Sequence, residues 1–149
     1  GAGGAARAVG VALLDAGVPE IRFVNRTKER AEALAATMDP RCRATDWGKR
    51  EQALGAANLL VNTTSLGMTG QPSLELDLRE LPEDALVNDI VYVPLETPLL
   101  RDARRRGNPV VDGLGMLLHQ GRPGFKAWFG IDPAVTDGLR QALVEDLVR

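Results

Sequence analysis

The sequence is short of the residues that build disulfide, metal and membrane proteins. Of its 149 residues, one is cysteine, one histidine and one tyrosine. Cys42 alone cannot close an internal disulfide, and one Cys with one His cannot complete a Cys/His zinc site, so neither a disulfide scaffold nor a bound metal is expected. A lone thiol agrees with a reducing compartment, and the expected location is cytoplasmic. No apolar run approaches the roughly 20 residues of a membrane span. Charge of one sign is missing as well: 18 Lys and Arg against 20 Asp and Glu leave a net charge of -2. No global positive field exists to hold nucleic acid or an anionic membrane, so any bound anion must be gripped locally. A leader is lacking too. The chain opens on Gly1-Ala2-Gly3-Gly4, with neither Met nor a basic or apolar segment, and is expected to be part of a longer protein.

What is present is ordinary for one globular domain: 44% hydrophobic and 26% charged residues, with 16 Gly and 9 Pro spread along the chain. Small and apolar residues at helical spacing predict a helix over 5–14, stopped by Gly17-Val18-Pro19. A short strand follows at 21–24. Thr27 is placed to cap a helix over 28–38. A weak strand at 43–45, a helix near 49–56 and a buried strand at 58–62 come next. Residues 63–72 read as loop, 76–81 are ambiguous and 82–84 form a turn. The clearest strand is 86–93. A helix over 97–106, its basic end complementing the helix dipole, leads to a brief strand at 110–111. Helices over 116–120 and 125–129 are expected to be separated around Gly121, Pro123 and Gly124. The last helix, 133–148, carries Val135, Leu139, Leu143 and Leu147 at i, i+4 spacing.

Strands alternating with helices specify an α/β fold, a doubly wound, Rossmann-like parallel sheet with helices on both faces. Ligands bind such sheets beyond the carboxyl ends of the strands. Attention therefore falls on residues 25–27, 62–65, 92–94 and 112–115.

Gly1-Ala2-Gly3-Gly4-Ala5-Ala6 fits G-x-G-x-x-A opening a helix. Glycine lets the backbone approach a pyrophosphate, and the helix start offers free amide hydrogens; a close-packed helix start would read the same way. The end of the second strand in an NAD site usually carries a carboxylate for the adenine-ribose hydroxyls. Here it is Asn25, followed by Arg26, Thr27 and Arg30, whose guanidinium groups match a 2′-phosphate. NADP is favoured over NAD. The loop from Asn62, with Thr63 and Ser65, either faces the nicotinamide half or satisfies its own backbone. Tyr92 and Gln120 offer a phenol and an amide to a substrate. His119 reads as structural, and Trp47 and Trp128 as packing residues.

In order, these pieces resemble the NADP-binding domain of the shikimate dehydrogenase family. The resemblance is carried by Gly1–Ala8, Asn25-Arg26-Thr27-Lys28-Glu29-Arg30-Ala31, Asn62-Thr63-Thr64-Ser65-Leu66-Gly67-Met68, Asp89-Ile90-Val91-Tyr92 with Thr97-Pro98-Leu99-Leu100, and Asp112-Gly113-Leu114-Gly115-Met116-Leu117 with Gln120. It implies that Gly1, Ala2, Gly3, Gly4 and Ala5 hold the pyrophosphate and that Asn25 to Arg30 hold the 2′-phosphate. Ile90 and Gly113 would lie along the nicotinamide half, and Tyr92 and Gln120 would contact shikimate. The family reversibly reduces 3-dehydroshikimate to shikimate with NADPH, on the route to chorismate and the aromatic amino acids.

The family's catalytic Lys and Asp sit in a separate N-terminal substrate domain, and no stretch of this chain matches Asn-Val-Thr-x-Pro-x-Lys or Asn-Thr-Asp. No catalytic residue is expected here, and the chain alone is expected to be inactive. The apolar strand that precedes the glycine loop in the family is also missing, which would leave strands 21–24 and 59–61 without a shared neighbour. Residues 1–149 would then be an NADP-binding domain truncated at its start. Its last helix would face the substrate domain, and an exposed stripe there favours a homodimer. Two other readings are a quinate/shikimate dehydrogenase relative and a non-catalytic NADP(H)-binding module.

Overall fold

A computed structural model describes residues 1–147. Alternation of strand and helix is borne out, with all strand pairs parallel. Helix α1 (Gly4–Asp15) leads to β1 (Ile21–Asn25), α2 (Lys28–Met38) and β2 (Cys42–Asp46). Then come β3 (Leu59–Asn62), β4 (Leu86–Asp89), α3 (Pro98–Arg106) and β5 (Val110–Val111). Two helices close the chain, α4 (Leu114–Phe129) and α5 (Asp137–Leu147). Val148, the last residue of the expected terminal helix, lies outside the described residues.

The strands form two separate parallel sheets. β1 pairs with β2, Ile21 opposite Cys42, and β3-β4-β5 form the other, with Leu59 opposite Leu86 and Val87 opposite Val110. The core divides the same way. Ala6, Phe23, Ala31, Leu34 and Cys42 are buried around the first sheet, while Leu81, Val87, Leu99, Leu100 and Ala103 are buried around the second. Between β1 and β3 runs a cleft of about 400 Å³ whose walls include Val9, Leu13, Ile21, Phe23 and Val61. Residues 59–61 are consequently half-buried rather than buried, because one edge and part of the strand's face meet this cleft, while Asn62 is buried.

Local chemistry explains where elements depart from expectation. The strand expected over 86–93 stops at Asp89 because the Val91 amide turns to donate to the Asp89 carboxylate at 3.0 Å. The helix expected near 49–56 is two short 3-10 turns, Trp47–Lys49 and Gln52–Leu54. The Asp46 carboxylate takes the Gly48 amide at 2.8 Å, and Ala56 adopts φ 58, which breaks helical continuity. The two helices expected over 116–129 are one. Pro123 removes the hydrogen bond to the carbonyl of His119, but that turn is exposed, so water can satisfy the orphaned oxygen. Thr27 occupies the N-cap position of α2 without accepting an amide through its hydroxyl. The last helix begins at Asp137 rather than 133, and the Thr136 hydroxyl accepts the Leu139 amide.

Asn108 holds the second half together. Its buried side-chain amide donates to the carbonyls of Pro82, Glu83 and Ala85 at 2.8, 3.1 and 3.0 Å. Beside it the Arg106 guanidinium donates to the Leu81 carbonyl at 2.9 Å. Ambiguous residues 76–81 thus form no regular element, yet Leu78 and Leu81 are buried. Asn108→Ala strands buried acceptors and is expected to cost about 2 kcal/mol; urea unfolding of the two chains measures it.

Candidate functional site

Three strands end on the same kind of chemistry: each is followed by a loop whose backbone or side chains remain available. At α1 the N-cap is Gly3, which offers no side-chain oxygen, so the first-turn amide hydrogens are not capped from within. An added Cβ at Gly3 or Gly4 would meet nothing within 4 Å, so the surface above both is open. Ala5 is exposed on the same turn. A groove of about 390 Å³ opens here, floored by Ala33 and Leu34 and flanked by Gly3, Gly4, Arg7 and Arg30. A helix start with positive dipole therefore meets guanidinium groups from α1 and α2, an arrangement suited to phosphate.

At the end of β1, Asn25 donates its side-chain amide to the Thr27 carbonyl at 2.9 Å, tightening the turn that presents Arg26 and Thr27. Arg26, Thr27 and Arg30 are exposed. Among the described residues, the guanidinium groups of Arg7, Arg26 and Arg30 form no ion pair, unlike that of Arg41, which Asp39 holds at 2.9 Å. Arg7 escaped the sequence reading of individual residues. Its signal was present, three residues after Gly4 and so on the helix face that borders the opening.

The first loop also meets the loop after β3. Gly1 donates its amino group to the Val24 carbonyl at 2.8 Å, and an added Cβ at Gly1 would lie 2.7 Å from the Thr63 carbonyl oxygen. Thr63 is half-buried and Ser65 exposed, whereas Asn62 and Thr64 turn to a buried network. In that network Asp89 accepts from the Asn62 side-chain amide at 3.0 Å, the Val91 amide at 3.0 Å and the Thr97 hydroxyl at 2.7 Å. Burial pushes the Asp89 carboxyl above the usual carboxylate range, and these three donors pull it partly back. Neither Asp89 nor Thr97 was legible as a site residue, since Asp89 lies 27 residues beyond its Asn62 partner.

The structure brings Ile90 and Gly113 together. A Cβ on Gly113 would lie 2.5 Å from the Ile90 carbonyl carbon and 2.6 Å from the Val91 oxygen. Asp112 supports this approach by accepting the Leu114 amide at 3.0 Å and the Arg140 guanidinium at 2.6 Å. Tyr92 is half-buried in the loop after β4, and Gln120 is exposed on α4. Among the described residues, no hydrogen bond joins either side chain to a neighbour, and none joins them to each other.

Two sequence expectations need correction. His119 is exposed rather than embedded in an apolar core, because α4 presents that side to solvent. Trp128 is 80% exposed and does not pack. Trp47 is half-buried, with the Arg50 guanidinium 5.2 Å from its ring centre. No helix among the described residues is long and apolar enough to cross a membrane.

Residues 113–143 match the Shikimate 5'-dehydrogenase C-terminal domain. A shikimate dehydrogenase (NADP(+)) of Paramagnetospirillum magneticum is 64% identical over 140 residues, covering 94% of this chain and 51% of that protein. Among solved structures, quinate dehydrogenase from Corynebacterium glutamicum in complex with NAD superposes with a TM-score of 0.86 at 34% identity, covering 97% of this chain and 53% of that one. Shikimate 5-dehydrogenase from Thermus thermophilus in complex with NADP(H) and shikimate gives 0.78 at 38% identity, covering 100% of this chain and 52% of that one. The chain spans about half the length of the curated relatives it matches. With the domain match at its end, the α/β architecture and these relatives all in agreement, the chain is similar, over nearly its whole length, to the C-terminal portion of shikimate dehydrogenases.

Proposed function

We propose that residues 1–149 form the NADP-binding domain of a shikimate dehydrogenase, which reversibly reduces 3-dehydroshikimate to shikimate. The observation that carries this is the uncapped, glycine-lined start of α1 opening on a groove beside Arg30, with Asn25 rather than a carboxylate at the end of β1. Open space above Gly3 and Gly4 fits a close-lying pyrophosphate. Arg26 and Arg30, which form no ion pair among the described residues, fit a 2′-phosphate, which a carboxylate at position 25 would repel.

Gly1 to Ala5 bind the pyrophosphate through backbone amides, and Asn25, Arg26, Thr27 and Arg30 bind the adenosine phosphate. Thr63, Ser65, Ile90 and Gly113 border the nicotinamide side, where Gly113 admits the Ile90 backbone. Tyr92 and Gln120 orient the substrate. When bound, the cofactor supplies or accepts hydride. This chain contributes binding and orientation. A proton-transferring Lys and Asp in the family's motifs are absent from its sequence, so it turns over no shikimate by itself. The cleft between β1 and β3 leaves their facing edges unpaired with each other, with space for a further strand between them. The half-exposed stripe of α5 faces the substrate domain in this reading, while exposed Trp128, Phe129 and Ile131 support a homodimer. The buried, unpaired thiol of Cys42 suits the cytoplasm.

Calorimetric titration with NADPH and with NADH tests the proposal. NADPH is expected to bind the more tightly. Arg26→Ala is expected to weaken NADPH by about tenfold or more, the worth of one charged hydrogen bond, while leaving NADH nearly unchanged. Equal loss for both removes Arg26 from the phosphate site.

A further inference from the structure

Asp89 is fully buried and, among the described residues, has no cationic partner. A carboxylate taken out of water and satisfied only by neutral donors is costly unless every donor stays in place. Its donors come from three separate segments: Asn62 ends β3, Val91 lies in the loop after β4, and Thr97 caps α3. Moving any one of them exposes the deficit of a dry carboxylate, so the segments are tied to one another.

The tie extends outward. Asn62 accepts the Thr64 amide at 3.0 Å and the Thr64 hydroxyl at 2.7 Å, and donates to the Leu66 carbonyl at 3.1 Å. The Thr64 hydroxyl accepts the Leu66 amide at 3.1 Å, and the Thr69 amide donates to the Val93 carbonyl at 2.9 Å. Among the described residues no buried side-chain polar atom is left without a partner. Alternate residues divide the work: Asn62 and Thr64 face the network, which leaves Thr63 and Ser65 outside it beside Gly1 and solvent.

We propose that Asp89 is a positioning residue that locks the loops after β3 and β4 into one unit, so that the nicotinamide side of the site depends on it and the adenosine side does not. This rests on the cofactor reading above for its ligand arm only. Asp89 touches no reacting atom. Its effect travels through Asn62 and Thr64 to residues 63 and 65, and through Val91 to Ile90.

Thr64→Val and Asp89→Asn in the 149-residue chain test the lock. Thr64→Val is nearly isosteric at a half-buried position and spares the fold if Asp89→Asn does not. Amide hydrogen exchange without ligand is expected to rise over residues 90–93 in Thr64→Val, although the substitution lies in the other loop. Exchange confined to residues 63–68 overturns the lock. In titrations, both variants are expected to lose about tenfold in affinity for NADPH, within the range of coupling carried by such networks. Affinity for 2′,5′-ADP, which carries only the adenosine end, is expected to stay within about twofold. Equal weakening of both ligands, or of neither, overturns the positioning role. A wild-type chain that binds neither ligand overturns the cofactor reading instead, and the exchange experiment still decides the lock.

Discussion

Gly113→Ala is expected to destabilise the chain by about 3 kcal/mol or more, at the upper end of overpacking effects. The added methyl would sit 2.5 Å from the Ile90 carbonyl carbon and 2.6 Å from the Val91 oxygen. These are backbone atoms in the loop just after β4, tied by Asp89 through the Val91 amide, and cannot rotate aside as a flexible side chain can. Relief requires moving the start of α4 or opening the loop after β4. Gly115, two residues on in the same Asp-Gly-Leu-Gly-Met motif, is the control. An added Cβ there meets nothing within 4 Å. It lies in the first turn of α4, so Gly115→Ala is expected to be neutral or to gain about 0.5–1 kcal/mol from helix propensity. Urea unfolding of both variants distinguishes a close-approach glycine from an incidental one. Similar stability for the two would remove the backbone approach of Gly113 to Ile90 as a structural requirement.

Joining five extended, apolar residues in front of Gly1 is expected to raise stability by about 3–5 kcal/mol. The facing edges of β1 and β3 are unpaired with each other, and Gly1 already bridges their ends through Val24 and Thr63. A parallel strand laid in the cleft would find hydrogen-bonding partners on both sides. Each buried Val, Leu or Ile side chain stabilises by about 1.5–3 kcal/mol, against about 1–2 kcal/mol per residue for ordering the backbone. Thermal unfolding should shift upward by roughly 2–4 °C per kcal/mol for a chain of this size. A Val-rich extension is the test and a Gly-Ser extension of equal length the control. An equal response to both would show that the cleft does not receive a strand.

The fold class was legible because the hydrophobic period changes repeatedly from helix to strand. So were the ends of β1 and β3, where polar residues follow short apolar runs. That Arg26, Thr27 and Arg30 follow β1 on one exposed turn could also be read, since neighbouring residues share that turn. The Asn62–Asp89–Thr97 network could not. Its members serve different segments, and an Asp before an apolar run looks like the ordinary interior of a strand. The stopping of β4 at Asp89 was missed for the same reason: a side chain competes with the ladder for the Val91 amide. Pro123 misled in the opposite direction, because a lost helix bond on an exposed turn can be replaced by water. His119 and Trp128 were misassigned because apolar neighbours in sequence do not establish which side of a helix meets the sheet.

The aromatic end of α4 gives the chain a built-in optical reporter. Trp128, 80% exposed, has its indole in water, whereas Trp47 is half-buried with a guanidinium over its ring. The two residues are the only tryptophans in the sequence. Their emission should separate by polarity, with Trp128 the more readily quenched by a dissolved ion. Any surface that comes to cover Phe129, Ile131 and Trp128 will shift the Trp128 emission to shorter wavelength and shield it from the quencher. Trp47, on the other side of the sequence from that event, supplies an internal reference in the same spectrum.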